Sequence, residues 1–336
     1  MNERVDPLEV PVNTSGTAPS SPASAAPALA PVPAAGAPTA DGPGRRGALG
    51  PVGLVLAGGI SVQFGGALAV SLMPRVGALG VVTLRLLVAA IVLLLVCRPK
   101  VRGHSRADWS TVVVFGFTMA AMNGLFYQSV ARIPLGTAVT LEVLGPLALS
   151  VLSSRRAVNL LWAGLTLGGV FLLGGGGGFS SLDPAGVAFA LGAGAMWAAY
   201  IIFSARTGRR FPQADGLALA MVVAAVAFLP LGIVESGSRL LVPTTVALGA
   251  AVAVLSSVLP YTLELLALRR LPAATFAIMM SLEPAVAAVA GFLVLNQTLS
   301  LTESLAIALV IAASMGAVRT QVGRGKTKRL EADLDG

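Results

Sequence analysis

Leu86-Leu87-Val88-Ala89-Ala90-Ile91-Val92-Leu93-Leu94-Leu95-Val96 is an unbroken apolar run that stops just before the basic cluster Arg98, Lys100, Arg102 and Arg106. It lacks the polar alternation of a barrel strand, so it reads as part of a membrane helix. Extended back to residue 77, the segment reaches the ~20 residues that a helix needs to cross the hydrocarbon. Runs of this kind recur along the chain. Bounded by Gly, Pro or charged breaks, ten candidate spans follow: 51–71, 77–97, 110–130, 134–153, 158–177, 184–205, 216–235, 244–265, 273–295 and 301–318. Short connections make neighbouring spans antiparallel hairpins. Lipid offers no partner to an open backbone group, so the expected fold is an all-α integral membrane protein.

Composition agrees with that reading. Of 336 residues only 11% are charged, against about 25% in a soluble domain, while 55% are hydrophobic and the mean hydropathy is +0.84. An ordinary soluble enzyme, a disordered regulator and a disulfide scaffold are thereby excluded. The single Cys97 cannot form an internal disulfide, and the single His104 cannot build a histidine metal site. Residues 1–50 hold nine of the 21 prolines among Ala, Ser, Gly and Thr, and read as a disordered tail. Glu3, Asp6 and Glu9 stand where a secretory signal would carry basic residues.

The net charge of +8 could suggest nucleic acid, but the placement of the basic residues gives another reason for it. With the N-terminus in the cytoplasm and ten crossings, the cytoplasmic side collects 19 Lys and Arg residues, and the outer side keeps only Arg75, Arg132 and Arg239. This asymmetry is what the positive-inside rule requires. It places both termini in the cytoplasm and leaves no need for a nucleic-acid partner.

Two stretches align at a fixed offset. Arg132-Ile133-Pro134-Leu135-Gly136-Thr137 matches Arg270-Leu271-Pro272-Ala273-Ala274-Thr275, and Pro146 matches Pro284, each twelve residues after its partner proline. The repeated unit is about five helices long. Five is odd, so the second copy enters the membrane inverted: residues 51–177 form one repeat and 184–318 the other, followed by a basic then acidic tail at 319–336. Inverted repeats are a transporter signature, with the binding site near the midplane where the halves meet. Pro146 and Pro284 predict broken or kinked helices in the fourth and ninth spans.

An ionisable side chain inside a span costs about 2.5–3.5 kcal/mol on insertion scales and is a candidate for function. Arg85 lies in the second span, Glu142 in the fourth and Glu283 in the ninth. Other polar or aromatic residues inside the spans are Gln63 in the first, Asn123, Tyr127 and Gln128 in the third, Trp197 and Tyr200 in the sixth and Tyr261 in the eighth. One reading is that Arg85 and Glu142 form a charge pair locking two helices. The functional reading is a site for a zwitterion: the planar Arg85 fork suits a carboxylate, and Glu142 and Glu283 offer acceptors to an ammonium. Either glutamate could also carry a proton. Asn123, Gln63 and Tyr261 could satisfy further polar atoms, and Trp197 and Tyr200 could form an aromatic wall.

Other motifs carry less. Gly164-x-x-x-Gly168 permits close helix packing. Gly325-Lys326-Thr327 resembles the end of a phosphate loop, but Thr320 stands where the upstream glycine is required, so ATP binding is rejected. No Ser/His/Asp set exists, and neither an enzyme activity nor a cofactor or metal is expected.

Four blocks carry a family resemblance: Ser61-Val62-Gln63-Phe64-Gly65-Gly66-Ala67, Met122-Asn123-Gly124-Leu125-Phe126-Tyr127, Pro134 to Glu142, and Leu282-Glu283-Pro284-Ala285. Together with Leu191 to Ala195 and Ile311-Ala312-Ala313-Ser314-Met315-Gly316, they resemble the EamA branch of the drug/metabolite transporter superfamily, most of all its inner-membrane threonine/homoserine exporters. The similarity runs from about residue 52 to 320. It implies ten helices in two inverted five-helix repeats, and efflux of small amino acids driven by protons. The alternatives are efflux of another metabolite or drug, or a membrane sensor or scaffold that transports nothing.

Overall fold

A computed structural model describes residues 45–152, 161–162, 164–166, 168–169, 172, 182–211, 215–260, 263, 267 and 279–334. The N-terminal tail to residue 44, most of the fifth span, Tyr261, and the repeat motif at 270–275 lie outside the described residues. The elements are α1 (Arg45–Cys97), α2 (Arg106–Val130), α3 (Leu135–Glu142), α4 (Leu144–Leu152), α5 (Pro184–Gly208), α6 (Asp215–Ser236), α7 (Pro243–Ala253), α8 (Glu283–Leu295) and α9 (Leu301–Leu334). A 3₁₀ turn (Gly237–Leu241) joins α6 to α7, and a π turn (Val254–Val258) extends α7.

The described part is an all-α bundle with at least five helices long and apolar enough to cross a membrane: Gly50–Cys97, Arg106–Val130, Pro184–Gly208, Asp215–Leu241 and Leu301–Arg319. Large apolar side chains such as Ile91, Leu95, Val96, Phe117, Val226 and Leu293 are exposed on the bundle surface. In water such a surface would aggregate; against lipid it is the expected outer face.

The sequence suggests two spans with a loop at 72–76, whereas helical structure continues through Val76 and breaks at Gly77 alone. As one rod, the 48 residues from Gly50 to Cys97 would run about 70 Å at 1.5 Å per residue, over twice the hydrocarbon thickness. Gly77 instead turns the chain back. Gly65, before the break, lies against the Ser256 backbone, and Arg85, after it, reaches the Ser256 carbonyl. Two residues twenty apart on a straight helix could not both do so.

The turn is held by α6. The Leu79 and Gly80 N–H groups donate to Glu235 Oε2 at 2.7 and 3.0 Å, and the Ser236 hydroxyl donates to the Val76 carbonyl. Glu235 thus caps the second segment of α1, satisfying two orphan donors with a carboxylate at a helix N-terminus. Gly77 has φ 72° and ψ 172°, a region kept for glycine, and a Cβ there would collide with the Glu235 carboxyl. Gly77→Ala is therefore expected to destabilise the detergent-solubilised protein by about 2 kcal/mol or more, read as a fall in Tm. Combined with Glu235→Ala it should cost less than the sum, because both changes remove the same cap.

At its two ends α2 is tied to α5. Asp108 pairs with Arg210 at 3.1 Å, and Arg132 with Asp183 at 3.6 Å. Both pairs are partly exposed and hold geometry more than they add stability. Ser105 caps α2 in a reciprocal capping box with Asp108, and Asp183 caps α5 through the Ala185 N–H.

The interior is dominated by small residues. One cluster joins Leu72, Val82, Leu86, Phe115, Met119 and Phe228 from α1, α2 and α6; another joins Ala67, Leu135, Val139, Ala190, Ala287 and Ala290 from α1, α3, α5 and α8. Backbones approach closely where Gly136 lies against Ala288 and where Gly145 faces Gly194. The Gly164-x-x-x-Gly168 motif shows no such approach among the described residues. Among the described residues nothing approaches either Cβ position, whereas the neighbouring Gly169 lies against Val310 and the Ala306 carbonyl.

The fourth span is interrupted between α3 and α4, just after Glu142. Pro146 has no N–H to return to the Glu142 carbonyl, which kinks the helix there. In the ninth span a turn at Ser281-Leu282 precedes α8, whose first residue is Glu283 and whose second is Pro284. Both glutamates therefore stand at helix interruptions.

Candidate functional site

A cavity of about 450 Å³ opens in the bundle, a size common among small-molecule sites. Its wall includes Gln63, Arg85, Asn123, Tyr127, Glu142, Trp197, Tyr200 and Glu283. Eight of the nine residues chosen from sequence thus meet around one space, although they come from six different spans. The ninth, Tyr261, lies outside the described residues.

Arg85 is the cavity's cation. Its Nη1 donates to Asn123 Oδ1 at 2.6 Å and to the Tyr127 hydroxyl at 3.4 Å, and Nη2 donates to the Ser256 carbonyl at 3.4 Å. The guanidinium also lies 5.6 Å from the centre of the Tyr127 ring. These partners are neutral, and Nε finds none among the described residues. Asn123 is held in turn by donating Nδ2–H to the Met119 carbonyl at 2.9 Å, which fixes its Oδ1 toward Arg85.

The Ser256 carbonyl is available for a local reason. Four residues on stands Pro260, which has no N–H to complete an α-helical bond, and the intervening turn is π rather than α. The preceding carbonyl, of Leu255, accepts from the Ser61 hydroxyl at 2.6 Å. Two consecutive carbonyls of the eighth span are thus bonded across to α1.

Glu142 is half-buried and faces the cavity with no hydrogen-bond partner among the described residues. It is not in salt-bridge contact with Arg85. The described ion pairs are Arg132 with Asp183 and Arg210 with Asp108. The helix-locking charge pair considered from sequence is therefore absent among the described residues. Both side chains line a shared space instead.

Gln63 and Asn123 are buried at 4% and 7% exposure, so their amides serve the interior and the cavity rather than bulk water. Tyr200 packs its ring on Phe115 at 5.2 Å, with Trp197 one turn earlier on α5. Sequence reasoning passed over Ser256, Ser281 and Ser314, which also line the cavity, as well as Met122, Phe126, Pro260 and Met280. A signal existed for one of them: Ser256-Ser257 is a polar pair inside an apolar span, with a proline four residues after Ser256. No group of three or more His, Cys, Asp or Glu side chains is placed to hold a metal among the described residues.

The chain is similar to known membrane transporters. Residues 184–319 match the model of the EamA-like transporter family. The threonine/homoserine exporter RhtA of Escherichia coli (strain K12) is 42% identical over 282 residues, covering 84% of this chain and 95% of its own. RhtA of Salmonella typhimurium (strain LT2) is 43% identical over 271 residues, covering 80% and 92%. The uncharacterized transporter YwfM of Bacillus subtilis (strain 168) is 27% identical over 232 residues, covering 67% and 77%. A crystal structure with 19% sequence identity superposes with a TM-score of 0.57 over 81% of this chain and 97% of its own, a likeness of fold. The protein belongs to the EamA-like transporter family. It is a bacterial inner-membrane protein of several spans, and a transporter rather than an enzyme.

Proposed function

We propose that this protein exports small amino acids of the threonine/homoserine type by alternating access, coupled to protons. The observation that carries the reading is one cavity holding a guanidinium fork with only neutral partners and two carboxylates. A zwitterion needs this set: Arg85 for its carboxylate, and Glu142 with Glu283 for its ammonium. The relatives that export threonine and homoserine support the substrate class.

The architecture that goes with this function is ten crossings in two inverted repeats, 51–177 and 184–318. The 1–50 tail and the 319–336 tail are both cytoplasmic. Cavity residues are drawn from each repeat, Arg85, Asn123 and Glu142 from the first and Trp197, Ser256 and Glu283 from the second. Glu142 and Glu283 exchange the coupling proton, Gln63, Asn123 and Tyr127 complete the polar lining, and Trp197 and Tyr200 form an apolar wall.

A second reading, efflux of a bulkier metabolite or drug, draws on the apolar part of the wall, where Met122, Phe126, Val139 and Leu147 stand beside Trp197. The two are separated by uptake of labelled threonine and homoserine into inverted vesicles, with and without a protonophore. Accumulation that the protonophore abolishes is the expected result. No accumulation in vesicles containing folded protein would move the substrate to an open metabolite screen.

A further inference from the structure

Two hydroxyls of the cavity wall have defined hydrogen-bond partners. The Tyr127 hydroxyl accepts from Arg85, and Ser256 Oγ donates to the Val252 carbonyl at 2.6 Å. Tyr200 and Ser281 also make interactions within the protein. Ser314 differs. It is 6% exposed, lines the cavity from α9, and its Oγ has no hydrogen-bond partner among the described residues. A serine in a helix ordinarily returns its hydroxyl to the carbonyl four residues back, as Ser256 does, so an unbonded one at a cavity wall needs a reason. A buried hydroxyl without a partner is unfavourable until something supplies one.

Among the described residues, the neighbours known on this part of α9 are apolar: Leu147 packs against Ala313 and Ala317, and Pro146, Leu147, Ala317 and Val318 all line the same cavity. No other side chain on this stretch of α9 that lines the cavity carries a polar group. Water held there would have few partners, whereas a ligand anchored elsewhere can bring one polar atom to an otherwise apolar patch. Arg85 and the two glutamates already account for the α-carboxylate and the α-ammonium. The group left over is the side-chain hydroxyl.

We propose that Ser314 is the specificity-determining residue that recognises the alkyl hydroxyl shared by threonine and homoserine. This rests on the function proposed above. Its Oγ is buried without a partner on a residue that lines the cavity, and in the loaded protein it exchanges a hydrogen bond with the ligand hydroxyl. An analogue carrying a methyl group in that place leaves Ser314 unbonded and is rejected. Valine is that analogue of threonine, and norvaline that of homoserine.

The test is competition for labelled threonine uptake in inverted vesicles, by unlabelled threonine and valine, for wild type, Ser314→Ala and Ser314→Thr. Wild type is expected to prefer threonine by ~10-fold or more. Ser314→Ala should bring that ratio close to one, through weaker threonine binding with valine binding unchanged or improved. Ser314→Thr, which keeps a hydroxyl, should retain most of the preference. A loss confined to packing would instead weaken both competitors equally. If wild type exports threonine and Ser314→Ala keeps the full preference, the assignment of Ser314 is overturned while the exporter reading stands. If wild type takes up neither threonine nor homoserine, both readings fall. Should Ser314→Ala not accumulate as folded protein, Ser314→Cys replaces it, since it keeps the volume with only a weak donor, and the same ratio decides.

Discussion

Glu142→Gln and Glu283→Gln are each expected to lower proton-driven threonine accumulation by about 10- to 150-fold, with normal amounts of folded protein in the membrane. Glutamine keeps the shape and most of the hydrogen-bonding capacity of glutamate, but it carries no charge and releases no proton. A hydrogen bond to a charged group contributes about 1.5–3 kcal/mol, and the range quoted is that loss converted at 1.36 kcal/mol per decade. Both side chains line the cavity that holds Arg85, so each change also removes one of the two carboxyl groups available to a ligand ammonium. Binding and coupling can be told apart in one preparation. Counterflow, in which internal substrate exchanges for labelled external substrate without net proton movement, needs only binding. A glutamate whose main role is to carry the proton leaves counterflow in its Gln variant near wild type while uphill accumulation disappears. A glutamate that binds the ammonium takes both away. Full accumulation in both variants would show that neither glutamate belongs to the mechanism.

The features that could be read from the sequence are those with a one-dimensional cause. Lipid demands long apolar helices, so α2, α5 and α6 stand within a few residues of the spans marked by Gly, Pro and charge. The cost of burying charge in lipid singled out Arg85, Glu142 and Glu283 before any geometry was known. Their convergence on one cavity follows from the same physics, since such groups have to face the interior or each other. The turn at Gly77 was less legible. The chain reverses with a single non-helical residue because Glu235, more than 150 positions away, supplies the cap. An acceptor that distant leaves no mark near the turn.

The partners of Arg85 show the same limit. Asn123 could be chosen as a polar residue in an apolar span, but Ser256 acts through its main chain, and every residue has a carbonyl. What makes this one available is the missing N–H of Pro260, a signal legible only once helix geometry places the two residues one turn apart. Ser314 lies in a stretch of alanine and glycine where a lone serine looks like packing. Its unbonded hydroxyl is a property of the cavity wall.

Arg85→Lys is expected to raise the KM for threonine by about tenfold or more while leaving the protein folded and inserted. Lysine keeps the positive charge, so neither the insertion cost nor the field at the carboxylates changes in sign. What is lost is the fork. Arg85 bonds Asn123 and Tyr127 through Nη1 and the Ser256 carbonyl through Nη2, and a single ammonium cannot span those acceptors while also meeting a carboxylate side-on. The two bonds at 3.4 Å are long and go to neutral acceptors, so an incoming carboxylate replaces them with shorter bonds between opposite charges. The Asn123 bond at 2.6 Å is expected to persist and to hold the fork in place. Asn123→Ala should accordingly reproduce part of the rise in KM without touching the charge. The control is an amino alcohol that lacks the carboxylate, 1-amino-2-propanol, used as a competitor. If Arg85 holds the carboxylate, this amine competes weakly against wild type and no more weakly against Arg85→Lys, because it makes no use of the fork. If instead Arg85 only braces α1 against α2 and the eighth span, Arg85→Lys lowers the transport rate and Tm together and leaves the KM for threonine where it was.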